Sequence, residues 1–336
     1  MIYFVYEKNM EDNLFINTLK QKLVNLELVS RETQQGGWNT ILEKIFKFWI
    51  DYFKLSLSAL KKSSKGDILM TWQVFVGVIT GIIIKTLFIK RRLIILSFIY
   101  RPRKNRIINY IRFNLTKFGI AAAEKVICYS SYEAAHYTKL FCLKTTKFLF
   151  VQLGKTYENF TIAKSITQNN YIFSAGQSNR DFETLIDSVE NLGISLIIAS
   201  TSKIIVSQKL KSNISLVQLT GNSFNKILSN ARLVIVTLKD TDYSSGQIVL
   251  INALAFGKCV IITETNWSKD YIVHGDNAWL VPPNDSQALS SAIDYLLKND
   301  NIREKIEENA RKSYLEYLNG EAFAKRLIKS MENNFQ

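Results

Sequence analysis

The sequence contains few of the residues on which disulfide-bonded and zinc-binding proteins depend. Its 336 residues include three cysteines, Cys128, Cys142 and Cys259, and two histidines, His136 and His274. An odd number of cysteines without a CxxC pair provides no disulfide framework, and two distant histidines disfavour a zinc site. This composition predicts a reducing compartment, the cytoplasm. The N-terminal residues, MIYFVYEKNMED, have no charged segment before an apolar core, so no signal peptide is expected.

Long hydrophobic runs are also scarce. The most apolar stretch, residues 68–84 (ILMTWQVFVGVITGIII), has 17 residues, whereas a membrane-spanning helix needs about 20. The next apolar run, residues 93–100, is too short to span. Two interpretations are open: a membrane span, or a buried strand, helix and strand of a parallel α/β sheet. The length favours the second.

Positive charge is abundant and unevenly distributed. The net charge of +14 combines +15 in residues 1–168 with −1 in residues 169–336. A uniformly basic nucleic-acid-binding coat is therefore disfavoured, and one basic domain joined to one near-neutral domain is expected. In the first half, basic clusters predict contact with an anionic membrane surface, with a solvated basic face as the alternative. These clusters are KKSSK (61–65), KRR (90–92) and RPRKNR (101–106).

Short apolar runs alternate with helical patterns along both halves of the chain. The pattern predicts helices that begin near Asp181, Gln247 and Asp285, and strands at 171–175, 194–200, 214–221, 232–238 and 259–263. Such alternation indicates an α/β fold with doubly wound parallel sheets. We place one domain at residues 1–160, a second at 161–315, and a C-terminal helix at 316–336 that is expected to pack back on the first.

Two turns of the second half could bind a phosphate, although the common fingerprints GxGxxG, GxxxxGK[ST] and GxSxG are absent. The turn Ser244-Ser245-Gly246-Gln247 follows a predicted strand and opens a helix, whose free N–H groups attract anions. Gly176 ends another strand, and Arg180 stands where the next helix begins. Because loops after parallel strands share one edge of a sheet, the two turns would hold a diphosphate from two sides.

Each of these features has a purely structural alternative. The serine-glycine turn also fits an ordinary capped helix start, and Arg180 also fits a surface side chain beside Asp181. Asp240-Thr241-Asp242 forms a DxD pattern, which can hold a divalent metal against a diphosphate. Because chance produces this pattern often, we interpret it as a loop and expect no metal or other cofactor.

Four stretches of the second half carry a resemblance to a known family. They are FSAGQSNRDFETLI (173–186), VQLTGNSFNKILSNARLVIVTL (217–238), DYSSGQIVLINALAFGKCVIIT (242–263) and DYIVHGDNAWLVPPND (270–285). Their order and spacing over residues 171–315 resemble the donor-binding half of GT-B glycosyltransferases. The similarity is greatest to the family 4-like, or group 1, enzymes that build bacterial polysaccharides. It implies two Rossmann-like domains that face a cleft, with a nucleotide-sugar held mainly by the second.

The resemblance implies a donor site with named residues. Arg180, beside Gly176 and Gln177, would bind the donor diphosphate, and Leu219 would contact the base. The same phosphates would accept hydrogen bonds from the backbone N–H groups of Ser245, Gly246 and Gln247. Two positions depart from the family pattern, because Ser244 and Asn252 stand where relatives have the glutamates that face the donor sugar and the ribose. Gln177 likewise replaces a common arginine.

The implied activity is transfer of a sugar from a nucleotide-sugar to a lipid-linked or growing polysaccharide acceptor, in cell-envelope, capsule or exopolysaccharide synthesis. A retaining, metal-independent hexosyl transfer is the usual course in this group. An inverting course would need a carboxylate base in the first domain, for which Glu7, Glu11 and Asp12 are candidates by position.

The expected partners are the donor, a glycan or polyprenyl-linked acceptor and an anionic membrane surface, but not nucleic acid. The expected location is the cytoplasm, peripheral on the inner face of the cytoplasmic membrane. Two alternatives stay open: a non-catalytic relative that binds sugar-nucleotides or glycans, and a basic adaptor at a membrane surface or nucleic acid.

Overall fold

The computed structural model describes residues 1–7, 12–31, 41–157, 170–200, 211–239 and 242–335. The chain divides into two compact units. The first comprises Met1–Val151 together with Ala324–Gln336, and the second comprises Gln152–Phe323. Glu11 and the first two residues of the DxD pattern lie outside the described residues.

The first unit is built on a six-stranded parallel sheet. Its strands are β1 (Ile2–Glu7), β2 (Leu26–Arg31), β3 (Ile68–Thr71), β4 (Arg92–Ile95), β5 (Lys125–Cys128) and β6 (Phe148–Phe150). Its helices are α1 (Asn13–Lys22), α2 (Ile41–Lys62), α3 (Val74–Thr86), α4 (Arg106–Ala122) and α5 (Ser131–Phe141). The strands lie in the order β2-β1-β3-β4-β5-β6, and every pairing is parallel.

The apolar stretch at residues 68–84 forms a buried strand and a buried helix. All four residues of β3 are buried, and so are eight residues of α3, which has 13 in all. A third buried element, β4, pairs with β3 so that Leu69 lies opposite Leu93. The strand-helix-strand interpretation is therefore confirmed, and the helices within the described ranges include none long and apolar enough to cross a membrane.

The second unit contains another six-stranded parallel sheet. Its strands are β7 (Tyr171–Ala175), β8 (Ser195–Ala199), β9 (Ile214–Val217), β10 (Leu233–Val236), β11 (Val260–Thr263) and β12 (Trp279–Val281). The helices of this unit after β7 are α6 (Phe182–Val189), α7 (Gly221–Asn230), α8 (Gln247–Ala255), α9 (Ser286–Lys298) and α10 (Asp300–Ser313). The last helix, α11 (Gly320–Phe335), begins in this unit and belongs to the first unit from Ala324 onward. The strand order, β12-β11-β10-β7-β8-β9, is that of a Rossmann sheet. The prediction of an α/β fold with doubly wound parallel sheets is therefore confirmed.

Local signals set the ends of several helices in the second unit. Asp181 accepts a hydrogen bond from the Thr184 N–H at 3.2 Å and caps α6, and Asp285 caps α9 through the Ala288 N–H at 2.8 Å. Two of the predicted helix starts are thus side-chain caps, which satisfy N–H groups that the first turn leaves unpaired.

The three basic clusters of the first unit lie at opposite edges of its sheet. Residues 61–65 precede β3 and residues 90–92 lead into β4, so both lie at the amino ends of the strands. Arg91 Nη2 joins these two clusters by donating to the Ser63 carbonyl oxygen at 2.6 Å. Residues 101–106 follow β4 and lead into α4, beyond the carboxyl ends. The clusters therefore do not form one continuous basic face.

Candidate functional site

The strand order of the second sheet creates a crevice at its centre. The chain runs from β7 outward through β8 and β9, and then crosses back to place β10 on the other side of β7. The loops after β7 and β10 therefore diverge at their shared carboxyl edge. In open α/β sheets this switch point is where ligands bind.

Backbone hydrogen bonds tie these two loops together. Arg180 and Leu238 form an antiparallel bridge. Asn179 Nδ2 donates to the Lys239 carbonyl oxygen at 2.8 Å, and the Lys239 N–H donates to the Asn179 carbonyl oxygen at 3.1 Å. The Asp181 N–H donates to the Thr237 carbonyl oxygen at 3.2 Å. The predicted proximity of the two turns is therefore present in the fold.

Arg180 is a buried cation and not a surface side chain. Its exposed fraction is 8%, its Nε donates to the Ala175 carbonyl oxygen at 2.7 Å, and its Nη1 donates to the Ser178 carbonyl oxygen at 2.9 Å. A Cβ on Gly176 would lie 2.3 Å from Nη2, and a Cβ on Gly246 would lie 3.4 Å from Nη1. The guanidinium group thus packs between two glycines, and the interpretation as a surface side chain is wrong.

Burial gives Arg180 a reason to bind an anion. Removal from solvent lowers the pKa of its guanidinium group from 12.5 to about 10. The group therefore stays charged at neutral pH, although its charge is poorly solvated. Among the described residues its Nη2 has no hydrogen-bond partner, whereas Nε and Nη1 are held by carbonyl oxygens. An anion beside Nη2 would offset the cost of burial.

The start of α8 has no side-chain cap. Gly246 is its N-cap residue, with a φ of +94°, and among the described residues no side chain caps the first turn. The alternative of an ordinary capped helix start is therefore wrong for this helix. Its N–H groups and the positive end of its dipole lie beside the Arg180 guanidinium, because a Cβ on Gly246 would lie 3.4 Å from Nη1. Two positive groups thus converge on one place.

The segments that meet at this edge of the sheet carry buried polar atoms without a hydrogen-bond partner among the described residues. Within the described residues, no hydrogen bond reaches Ser174 Oγ, Thr237 Oγ1, Ser245 Oγ or Gln247 Nε2. Ser174 lies in β7 and Thr237 directly after β10, while Ser245 and Gln247 flank the N-cap of α8. A buried polar group without a partner costs about 1–3 kcal/mol. Ser245 Oγ and Gln247 Nε2, which flank the N-cap, indicate a helix start built for a polar ligand. Ser174 and Thr237 lie on the other face of the sheet, because Gly246 packs against Val236 and Leu238, the neighbours of Thr237, and Ser174 pairs with Ile235.

The remaining residues of the predicted donor site lie around the same sheet edge. Ser244 is buried just before the α8 turn, and Gln177 is exposed in the loop after β7. Asn252 is buried in α8, where its Nδ2 donates to Asn225 Oδ1 at 3.3 Å and its Oδ1 has no partner among the described residues. Leu219 is partly buried after β9, two strands from β7 and so about 10 Å away. Their ligand contacts stay predictions.

The carboxylate candidates of the first unit occupy two different environments. Glu7 ends β1 at the switch point between β1 and β3, and its Oε2 accepts from the Tyr52 hydroxyl at 3.0 Å. Burial and the neighbouring Glu7 carboxylate raise the pKa of Tyr52, so the hydroxyl stays protonated. Asp12 caps α1 by accepting from the Phe15 N–H at 3.0 Å. Of the two, only Glu7 stands at a position where ligands of such sheets bind.

The structure contains no candidate metal cluster in its described part. There, no group of three or more histidine, cysteine, aspartate or glutamate side chains is placed to hold an ion. Asp242, the last residue of the DxD pattern, is exposed. The expectation that no metal takes part stays a prediction.

Sequence reasoning did not single out Ser174 and Thr237, whose buried hydroxyls have no hydrogen-bond partner among the described residues. Both are polar residues inside or just after apolar strand runs, YIFSA and LVIVT. That mismatch was the available signal, because a buried strand rarely contains a hydroxyl without a purpose. It also missed Thr263, whose Oγ1 accepts from the Leu238 N–H at 3.0 Å and fixes the loop after β10.

Comparisons with known proteins agree with this arrangement. Residues 199–313 match the family described as glycosyl transferases group 1. No curated protein sequence matches the chain significantly. Among solved structures, sucrose-phosphate synthase from Thermosynechococcus elongatus has 16% identity, covers 100% of this chain and 99% of its own, and superimposes with a TM-score of 0.75.

Two further structures show the same fold. HepE from Anabaena, solved in complex with UDP-glucose, has 15% identity, covers 99% of each chain and gives a TM-score of 0.66. TarM from S. aureus has 14% identity, covers 83% of this chain and 58% of its own, and gives a TM-score of 0.61. The chain therefore has the GT-B fold, and its residues 199–313 match the glycosyl transferases group 1 family.

Proposed function

We propose that the protein is a glycosyltransferase that moves a sugar from a nucleotide-sugar donor to a lipid-linked or growing polysaccharide acceptor, in cell-envelope, capsule or exopolysaccharide synthesis. The observation that carries the proposal is the pairing of Arg180 with the uncapped start of α8, a helix that lies within the residues matching the group 1 family. HepE is described in complexes with UDP and with UDP-glucose, and TarM in a complex with UDP. These complexes support a uridine diphosphate sugar as the first donor to test.

The main chemical demand is to stabilise the leaving nucleoside diphosphate. The bond between the anomeric carbon and the phosphate oxygen breaks, and its electron pair passes to the diphosphate. The acceptor hydroxyl oxygen bonds to the anomeric carbon and its proton passes to the leaving phosphate. In this proposal Arg180 Nη2 and the N–H groups of Ser245, Gly246 and Gln247 bind the developing charge. These groups act without a metal, and the course is retaining.

The other donor contacts follow from where the residues lie. Leu219, beyond β9, would pack against the base, and Asn252 in α8 would bind the ribose through its free Oδ1. Ser244 would face the sugar. If the course were inverting, Glu7 would be the candidate base, since it stands at the switch point of the first sheet. We also propose that the protein works in the cytoplasm, peripheral to the membrane.

A thermal-shift titration with UDP, GDP and ADP tests donor binding. A nucleotide at a hundredfold excess over its Kd should raise the melting temperature of the second unit by about 5 to 10 °C. Arg180→Ala should weaken binding of that nucleotide by about 1.5–3 kcal/mol, because a hydrogen bond to a charged group is lost. If none of the three nucleotides stabilises the protein, the proposal is contradicted.

A second candidate function is donor binding without transfer. Ser244 and Asn252, both buried at the α8 end of the site, stand where the resembled family has two glutamates. Neutral groups bind sugar hydroxyls more weakly than carboxylates. Binding of a nucleotide-sugar without hydrolysis or transfer to a panel of glycan and lipid-linked acceptors would favour this candidate. Turnover with any of these acceptors would exclude it.

A further inference from the structure

The first unit contains an apolar cavity that the donor site does not use. It has a volume of about 460 Å³ and lies between α2, α3 and α4, beyond the carboxyl ends of β3 and β4. Trp49, Phe75 and Val78 form part of its apolar lining, and the Trp49 and Phe75 rings meet edge to face at 5.7 Å. Its size is that of a small-molecule site.

A glycine crossing between α3 and α4 explains why the cavity exists. A Cβ on Gly81 would lie 2.1 Å from the Gly119 carbonyl oxygen, and a Cβ on Gly119 would lie 2.5 Å from the Val78 carbonyl oxygen. The two helices therefore touch backbone to backbone near the end of α4. Towards its start, Arg112 and Thr116 of α4 face the cavity instead. Gly119 and Ile120 are the buried residues of this helix.

Three arginines line the mouth of the cavity: Arg101, Arg103 and Arg112. The loop that holds Arg101 and Arg103 is ordered by Asn109 of α4, whose Oδ1 accepts from the Arg103 N–H at 2.8 Å. Burial and the positive charge of Arg103 lower the pKa of Arg112. In the described part of the chain, no carboxylate forms an ion pair with Arg103 or Arg112. Neighbouring cations without a counter-charge favour a bound anion.

The outer face of α4 continues this apolar surface towards solvent. Six large apolar side chains of this helix are exposed, and they share the helix with Arg106, Arg112 and Lys117. They are Ile107, Ile108, Tyr110, Ile111, Leu115 and Phe118. Exposed apolar patches rimmed by basic residues are typical of lipid-facing surfaces. A ligand with an apolar chain can thus reach the cavity along α4.

We propose that this cavity binds a single lipid phosphate, with its hydrocarbon chain among Trp49, Phe75 and Val78 and its phosphate on the arginines of the mouth. Apolar walls alone would accept any hydrophobic molecule, and arginines alone any anion. Their combination selects a molecule that is both. The site's role as the acceptor site for a lipid-linked glycan rests on the proposed glycosyl transfer, whereas lipid-phosphate binding does not.

Calorimetric titration of the full chain with soluble probes tests the proposal. Farnesyl phosphate represents isoprenoid phosphates, and dihexanoyl phosphatidic acid represents glycerolipid phosphates. Farnesol lacks the phosphate group, and inorganic phosphate lacks the hydrocarbon chain. At least one of the two lipid phosphates should bind about tenfold or more tightly than farnesol and phosphate, the effect of one hydrogen bond to a charged group. The tighter of the two identifies the lipid type.

Variants on α4 locate the binding. Arg112→Gln should weaken binding of the lipid phosphate by about tenfold, and Thr116→Phe should block the cavity. Two matched controls should bind normally: Lys20→Gln removes an exposed charge elsewhere in the first unit, and Asn114→Phe adds the same ring on an exposed position of α4 outside the cavity lining. A circular dichroism melt confirms that each variant is folded.

Three outcomes would overturn the proposal. The first is that farnesol binds as tightly as farnesyl phosphate. The second is that Arg112→Gln and Thr116→Phe bind the lipid phosphate as tightly as the parent chain. The third is that the chain binds anionic bilayer vesicles but none of the soluble lipid phosphates, which would make α4 a membrane-surface helix. UDP, GDP and ADP are titrated into the same samples. Nucleotide binding without lipid-phosphate binding refutes this inference alone, whereas lipid-phosphate binding without nucleotide binding refutes the proposed function alone.

Discussion

Replacing Gly176 with alanine is expected to displace Arg180 without removing the arginine. The new Cβ would lie 2.3 Å from Nη2, 2.6 Å from Nε and 2.7 Å from Cζ of Arg180. The φ of +119° at this position is also one that residues other than glycine rarely adopt. We therefore expect the guanidinium group to leave its hydrogen bonds to the carbonyl oxygens of Ala175 and Ser178.

The substitution should have two separate energetic effects. Binding of a nucleoside diphosphate loses a hydrogen bond to a charged group, about 1.5–3 kcal/mol, which raises the Kd about 10-fold to 150-fold. Folding of the second unit loses about 1–3 kcal/mol from backbone strain at the positive φ. Urea unfolding measures the second effect, and calorimetric titration at a temperature where the variant is fully folded measures the first.

A double-mutant cycle then separates placement of Arg180 from other causes. In an Arg180→Ala background the alanine at 176 has no guanidinium group to displace, so adding Gly176→Ala should change the Kd by no more than about twofold. Equal losses in both backgrounds would refute the reasoning, because Gly176 would then act independently of Arg180. Lys239→Met is the control for a general loss of positive charge near the loops, and it should leave binding unchanged.

Three further predictions test other parts of the structure. Gly81→Ala should destabilise the first unit by about 1–3 kcal/mol or more in urea unfolding, since its Cβ would meet the Gly119 backbone at 2.1 Å. A hydrogen bond from Arg303 lowers the pKa of Asp300 below its usual 3.8. The stability that this bond adds is therefore present above pH 3.8 and lost as the pH falls through the lowered pKa. Asp300→Asn should be less stable than the parent at about pH 5 and equal to it in strong acid. Asn252→Asp should bind UDP more tightly than the parent, because a carboxylate accepts hydrogen bonds from the ribose hydroxyls more strongly than an amide does. If the variant also binds 2′,3′-dideoxyuridine diphosphate more tightly than the parent, contact with the ribose at this position is contradicted.

Much of the secondary structure could be predicted because its causes are local. The run YIFSA forms β7 at the predicted residues, Tyr171–Ala175, because a short apolar segment bounded by a glycine fits a buried strand. Asp181 and Asp285 start helices because their side chains reach N–H groups three residues away. The same local reasoning divided residues 68–84 correctly into a strand and a helix.

Parts of the candidate site could not be predicted because they depend on distant contacts. The burial of Arg180 requires Gly246, 66 positions further along the chain, to lie beside it. The roles of Glu7 and Asp12 separated only when the fold placed one at a switch point and the other in a helix cap. The cavity beside α4 arises from two glycines in different helices, and no sequence spacing indicates that they meet.

The sequence by itself determined the α/β class, most strand and helix positions, and the two turns suited to a phosphate, because apolar periodicity, caps and glycines act over a few residues. The tertiary structure decided which strands are neighbours. By placing β10 beside β7, it joined the two turns into one site, and it divided the basic clusters between opposite edges of the first sheet. Parallel strand pairing and helix crossing are set by packing between distant segments, so they appear only in the folded chain.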